Sequence, residues 1–89
     1  MSTTKGSVTV LDPIGLHARP AGQIVKLVKE SGLEVRIGMA GQQLAKANSP
    51  LRMLALKAKT GQELDVEVDS DDEAVATALI AQIQEFLKG

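Results

Sequence analysis

Cysteine, tryptophan and tyrosine are absent from this chain, and phenylalanine occurs once, at Phe86. Without thiols there is neither a disulfide framework nor thiolate chemistry, which suits a reducing compartment. One aromatic ring leaves no platform for stacked bases, and a net charge of −1 exerts no pull on phosphate backbones or anionic membranes. Nucleic acid is therefore not an expected partner. A single histidine would leave a zinc site resting on carboxylates, so no metal is expected either. No stretch is apolar for long enough to span a bilayer, and Met1-Ser2-Thr3-Thr4-Lys5 lacks the apolar centre of a signal peptide. The expectation is a cytoplasmic protein with no membrane insertion.

What is present describes an ordinary folded domain. The chain has 89 residues, 44% hydrophobic and 24% charged, a balance that argues against disorder and for one domain spanning 1–89. Ser7-Val8-Thr9-Val10-Leu11 alternates as a strand does, and Asp12-Pro13-Ile14-Gly15 breaks it. A helix is predicted from about His17 to Ser31, with Ala21, Ile24, Val25 and Val28 on one face and Gly32 as its C-terminal cap. Leu33 to Met39 alternates again, Gly41-Gln42 forms a hairpin tip, and Gln43 to Lys46 is a short return strand. Ser49-Pro50 opens a second, short helix as N-cap and first helical residue, with Leu51, Leu54, Ala55 and Ala58 expected inward. Leu64 to Val68 is another alternating strand. The last helix opens on a Ser70/Glu73 capping box and carries Val75, Leu79, Ile83 and Phe86 down one face, which are read as core.

The element order is βαββαβα. Strands and helices with one apolar side each predict an α+β open-faced β-sandwich, a four-stranded, mainly antiparallel sheet covered on one face by three helices.

The chain's only histidine lies where the first loop becomes a helix, in Gly15-Leu16-His17-Ala18-Arg19-Pro20-Ala21. Taken alone, His-Ala-Arg is a weak signal, since histidine caps helices and a lone arginine is ordinarily a solvated charge. Three features change that reading. Gly15-Leu16 leaves room for an anion beside the backbone, Pro20 presets φ in the first turn without an N–H to satisfy, and Arg19 stays protonated at any working pH. Helix N-termini present free N–H groups, here those of Ala18 and Arg19, to an anion. Neutral imidazole is already nucleophilic, so the composition is that of a phosphoryl-transfer site with no metal or cofactor.

That motif, within a βαββαβα order, closely resembles the HPr family, the histidine-containing phosphocarriers of the bacterial phosphoenolpyruvate-dependent sugar phosphotransferase system. The resemblance runs from about Gly6 to Leu87. It implies a phosphohistidine carrier that is not a self-sufficient enzyme. It takes its phosphoryl group from phospho-enzyme I and passes it to a sugar-specific enzyme IIA. By position His17 is the phosphorylated residue, through Nδ1, and Arg19 the phosphate partner. The resemblance also marks Ser49 as a candidate regulatory site for a serine kinase and phosphorylase. Here, however, Asn48 replaces the usual preceding basic residue and Pro50 the usual following aliphatic one. Leu51 and Leu54 are read as partly core, yet the resemblance makes the apolar residues of this helix a docking surface. Pro50, Leu51, Met53 and Leu54 are therefore the expected docking residues, with Arg52 and Lys57 steering acidic partners. A monomer is expected, because successive partners must meet one face. Relatives serving nitrogen-related regulation or dihydroxyacetone phosphorylation would keep the same site. Two other classes compete: a binding domain acting through Ser49 with His17 unused, and a hydrolase with His17 as general base. The intact histidine–arginine pair disfavours the first, and no placed nucleophile supports the second.

Overall fold

The computed structural model describes residues 2–89. Its elements are β1 (Thr3–Thr9), α1 (Ala18–Ser31), β2 (Glu34–Met39), β3 (Ala45–Lys46), α2 (Pro50–Ala55), β4 (Glu63–Asp69) and α3 (Glu73–Phe86). The strands form one sheet in the order β1-β4-β2-β3, with every neighbouring pair antiparallel. β4 runs through the middle, pairing Thr3↔Asp69 to Thr9↔Glu63 on one side and Glu34↔Asp69 to Met39↔Leu64 on the other.

The alternation explains the layers. Val8, Val35, Ile37, Leu64, Val66 and Val68 turn to one side of the sheet and are buried there. Ala21, Ile24, Val25 and Val28 of α1 close over them, with Ala76, Leu79 and Ile83 of α3. Each buried valine, leucine or isoleucine among them contributes about 1.5–3 kcal/mol relative to exposure. The opposite face of the sheet is polar. There Arg36 donates to both carboxylate oxygens of Asp69, at 3.0 and 2.8 Å, and to Glu67 at 3.2 Å. That fork holds the Asp69 carboxyl down at about 2, with a further hydrogen bond from Thr3. Gly32 caps α1 in the left-handed region, φ 70°, as its position predicted.

Four expectations need correction. The first strand starts earlier and ends at Thr9, because Thr3 to Gly6 find the full length of β4. Beyond it, the Leu11 and Asp12 amides instead donate to the Leu87 carbonyl at the end of α3. Second, α3 is capped by Asp72, whose carboxylate accepts from the Ala74 and Val75 amides, and not by Ser70. Third, its buried side is Ala76, Leu79 and Ile83, continued by Leu87. Val75 is exposed and Phe86 only partly covered, so the stripe read from the sequence was rotated about the helix. Fourth, α2 turns Met53 inward, with Leu51 and Ala55 outside. Its final turn closes with Leu56 and Lys57 bonding three residues back, and Lys57 then enters the left-handed region at φ 54°. A helix of one and a half turns has no second turn in which an i, i+3, i+7 pattern could hold.

Candidate functional site

The loop before α1 is built by its own residues. Asp12, Pro13 and Gly15 take the first, second and fourth places of a turn, the places these residue types favour, and the Gly15 amide donates back to the Asp12 carbonyl at 2.9 Å. Asp12 Oδ1 accepts the Ile14 amide at 2.9 Å, a second closure of the same turn. Gly15 lies at φ 91°, and a Cβ there would stand 2.9 Å from the Ala58 carbonyl oxygen. That carbonyl is engaged by the Leu16 amide at 3.0 Å, and the Thr60 hydroxyl donates to the Asp12 carbonyl. The segment after α2 therefore clamps the loop before α1.

Leu16 is buried, and its burial turns the next residue outward. His17 is the N-cap residue of α1, extended at φ −111° and ψ −174°, and its side chain makes no capping bond. Its carbonyl accepts the Ala21 amide at 3.1 Å. The Ala18 and Arg19 amides are first-turn donors without an intrahelical acceptor, and Pro20 has none to satisfy. The imidazole is 27% exposed. Its Nε2 lies 2.9 Å from Asp12 Oδ2, whereas Nδ1 makes no hydrogen bond among the described residues.

Asp12 was not singled out by the sequence reading. It is 2% exposed and is the buried charged residue among those described. The Ile14 amide and the His17 ring hold its carboxyl below the usual carboxylate range. Burial opposes them, and the charges of His17 and Arg19 assist. Arg19 is exposed, with no ion pair or side-chain hydrogen bond among the described residues, and borders a surface cleft with Gln23, Glu85 and Phe86. An exposed guanidinium without a partner, in the first turn of the helix that His17 caps, can receive an incoming anion.

The predicted docking residues divide. Leu51 is 78% exposed, Pro50 is exposed and Leu54 partly so, on a helix that packs against α1. Met53 does not belong with them: it is 1% exposed and part of the core, because it is the inward position of so short a helix. Ile14, 75% exposed, and Leu11 add apolar surface that was not foreseen. Ser49 is the N-cap residue of α2 by position, yet its hydroxyl makes no capping bond. The expectation of a side-chain cap there is corrected. Pro50, at the first helical position, has no N–H to leave unpaired at this helix start.

Fold and site together define a class, that of small α+β domains presenting one histidine at a helix N-terminus. The family model described as "PTS HPr component phosphorylation site" matches residues 4–88. The chain is 30% identical over 78 residues to the phosphocarrier protein NPr of Klebsiella oxytoca, covering 88% of this chain and 87% of that one. To the phosphocarrier protein HPr of Lysinibacillus sphaericus it is 35% identical over 77 residues, 84% of each. The crystal structure of HPr from Bacillus anthracis superposes with a TM-score of 0.80 over 97% of this chain and 98% of that one; at 21% identity this bears on the fold alone. The chain belongs to the HPr family of phosphotransferase-system phosphocarriers.

Proposed function

We propose that this protein accepts a phosphoryl group from phospho-enzyme I onto Nδ1 of His17 and passes it to an enzyme IIA domain during phosphoenolpyruvate-dependent sugar uptake. The observation that carries the reading is the partly exposed imidazole on the N-cap of α1, one nitrogen engaged and the other open. The Nδ1 lone pair forms the new bond to phosphorus while the bond to the donor's nitrogen breaks and its electron pair returns to the donor ring. Negative charge on the equatorial oxygens falls to the Ala18 and Arg19 amides and the Arg19 guanidinium. The protein supplies position and electrostatics; turnover comes from its partners, in the cytoplasm. Pro50, Leu51 and Leu54 of α2, together with the exposed Ile14 of the loop before α1, offer apolar surface for those transient encounters, which a monomer can serve in succession.

The test is incubation with enzyme I and phosphoenolpyruvate. The expected product carries an acid-labile, base-stable phosphate that vanishes in His17→Ala. Labelling that survives the substitution refutes the carrier reading.

A nitrogen-related branch is the second reading, favoured by the similarity to NPr. Competition between enzyme I paralogues for this chain separates the two. Ser49 is proposed as a regulatory site, its hydroxyl being free of capping duty. Phosphate there would sit at a helix start, so its effect is on enzyme I docking and not on folding. Treatment with ATP and the serine kinase, with Ser49→Ala as control, decides it.

A further inference from the structure

We infer that Asp12 is a positioning residue for the transfer: its carboxylate holds the proton of His17 on Nε2 and so keeps the lone pair on Nδ1. The inference rests on His17 being the phosphoryl acceptor, and it concerns what prepares that ring.

Asp12 is built into the loop at every polar atom. Its amide donates to the Leu87 carbonyl at 2.8 Å, and its carbonyl accepts from Gly15 and Thr60. Oδ1 accepts from Ile14, which completes the turn. Nothing in the turn needs Oδ2, and that atom faces Nε2 at 2.9 Å. The side chain is almost wholly buried, so it cannot swing toward solvent for an alternative partner.

An ionised carboxylate only accepts hydrogen bonds, so the nitrogen facing it must be the donor. In a neutral imidazole that leaves Nδ1 as the lone-pair nitrogen. The lowered Asp12 pKa keeps the carboxylate ionised in the neutral range.

The same contact serves both halves of the transfer. When Nδ1 bonds to phosphorus and Nε2 keeps its proton, the ring carries a positive charge, which the adjacent carboxylate stabilises. When the group moves on, the phosphorus–Nδ1 bond breaks and its electron pair returns to the ring. With the proton still on Nε2, the ring leaves as neutral imidazole. Were that proton lost, the leaving group would be imidazolate, a far poorer one. Asp12 engages the ring at Nε2, and Arg19, exposed and without an ion pair among the described residues, is left for the phosphate.

Asp12→Asn tests this because it keeps the turn and reverses the contact. The asparagine oxygen takes over the Ile14 amide, its NH2 group then faces Nε2, and the ring responds by carrying its proton on Nδ1. Phosphoryl acceptance from phospho-enzyme I is expected to slow by about 10- to 100-fold. Nitrogen-15 chemical shifts of the unmodified ring are expected to report the Nε2–H tautomer in the wild type and the Nδ1–H tautomer in the variant. A merely structural role for Asp12 would not move that tautomer. A wild-type ring found mainly as Nδ1–H overturns the inference, and so does an Asp12→Asn protein accepting phosphate within about twofold of wild type. The wild-type spectrum decides even if the variant folds poorly. Failure of the wild type to label at His17 would instead sink the carrier reading, so the two failures are distinct.

Discussion

Replacing Gly15 with alanine tests how the loop delivers His17. At φ 91° a residue with a side chain pays about 1–3 kcal/mol of backbone strain. The new Cβ would stand 2.9 Å from the Ala58 carbonyl oxygen. That atom is backbone and cannot rotate aside, and moving it weakens the bond from the Leu16 amide, worth about 0.5–1.5 kcal/mol. The combined loss is about 1.5–4.5 kcal/mol. A chain of this length has only about 4–13 kcal/mol of stability in all. Urea unfolding followed by far-ultraviolet circular dichroism is the assay, since there is no tryptophan or tyrosine to follow by fluorescence. Gly15→Asn tolerates the dihedral better but meets the same carbonyl, so it is expected to lose less than alanine and still lose stability. A loss below about 0.5 kcal/mol for Gly15→Ala would refute the clamp between this loop and the segment after α2.

Met53→Ala is expected to cost about 2–5 kcal/mol of stability. Leu51→Ala, two residues away, is expected to change stability by less than about 0.5 kcal/mol while weakening enzyme I binding in titration calorimetry. The reverse pattern would mean α2 is rotated. Arg19→Ala is expected to slow phosphoryl acceptance with the unfolding midpoint unchanged, because an exposed, unpaired arginine contributes little to the fold; an unfolded variant would make Arg19 structural. The Asp69 carboxyl titrates at about 2 in the folded chain against a usual 3.8, so its contribution to stability is complete above about 4 and is lost as pH falls towards 2. Unfolding midpoints measured across that window are expected to fall less steeply in Asp69→Asn than in the wild type, and equal slopes would contradict the Arg36 fork.

The sheet was legible because strand alternation is local: Leu64, Val66 and Val68 declare their face without reference to anything distant. His17 at a helix start was legible for the same reason. Met53 and Leu51 were not, because the facing of a six-residue helix is set by what it packs against and not by its own period. The rotation of α3 away from Val75 has a similar origin, since the packing partners, and not the helix's own period, turn Ala76 inward and leave Val75 outside. Asp12 was beyond local reading altogether. Its burial and fixed orientation come from Leu87 and Thr60, far away in the chain, and only the folded loop brings them together. An acidic residue opening a turn five positions before a nucleophilic histidine was the available signal.

The most direct measurement is the attachment point of phosphorus after incubation with enzyme I and phosphoenolpyruvate, read by phosphorus-31 and nitrogen-15 NMR of the intact protein. The account predicts one phosphoramidate, bonded to Nδ1 of His17, with the proton retained on Nε2. Phosphorus bonded to Nε2, or to an oxygen such as that of Ser49 with the ring unmodified, would contradict it.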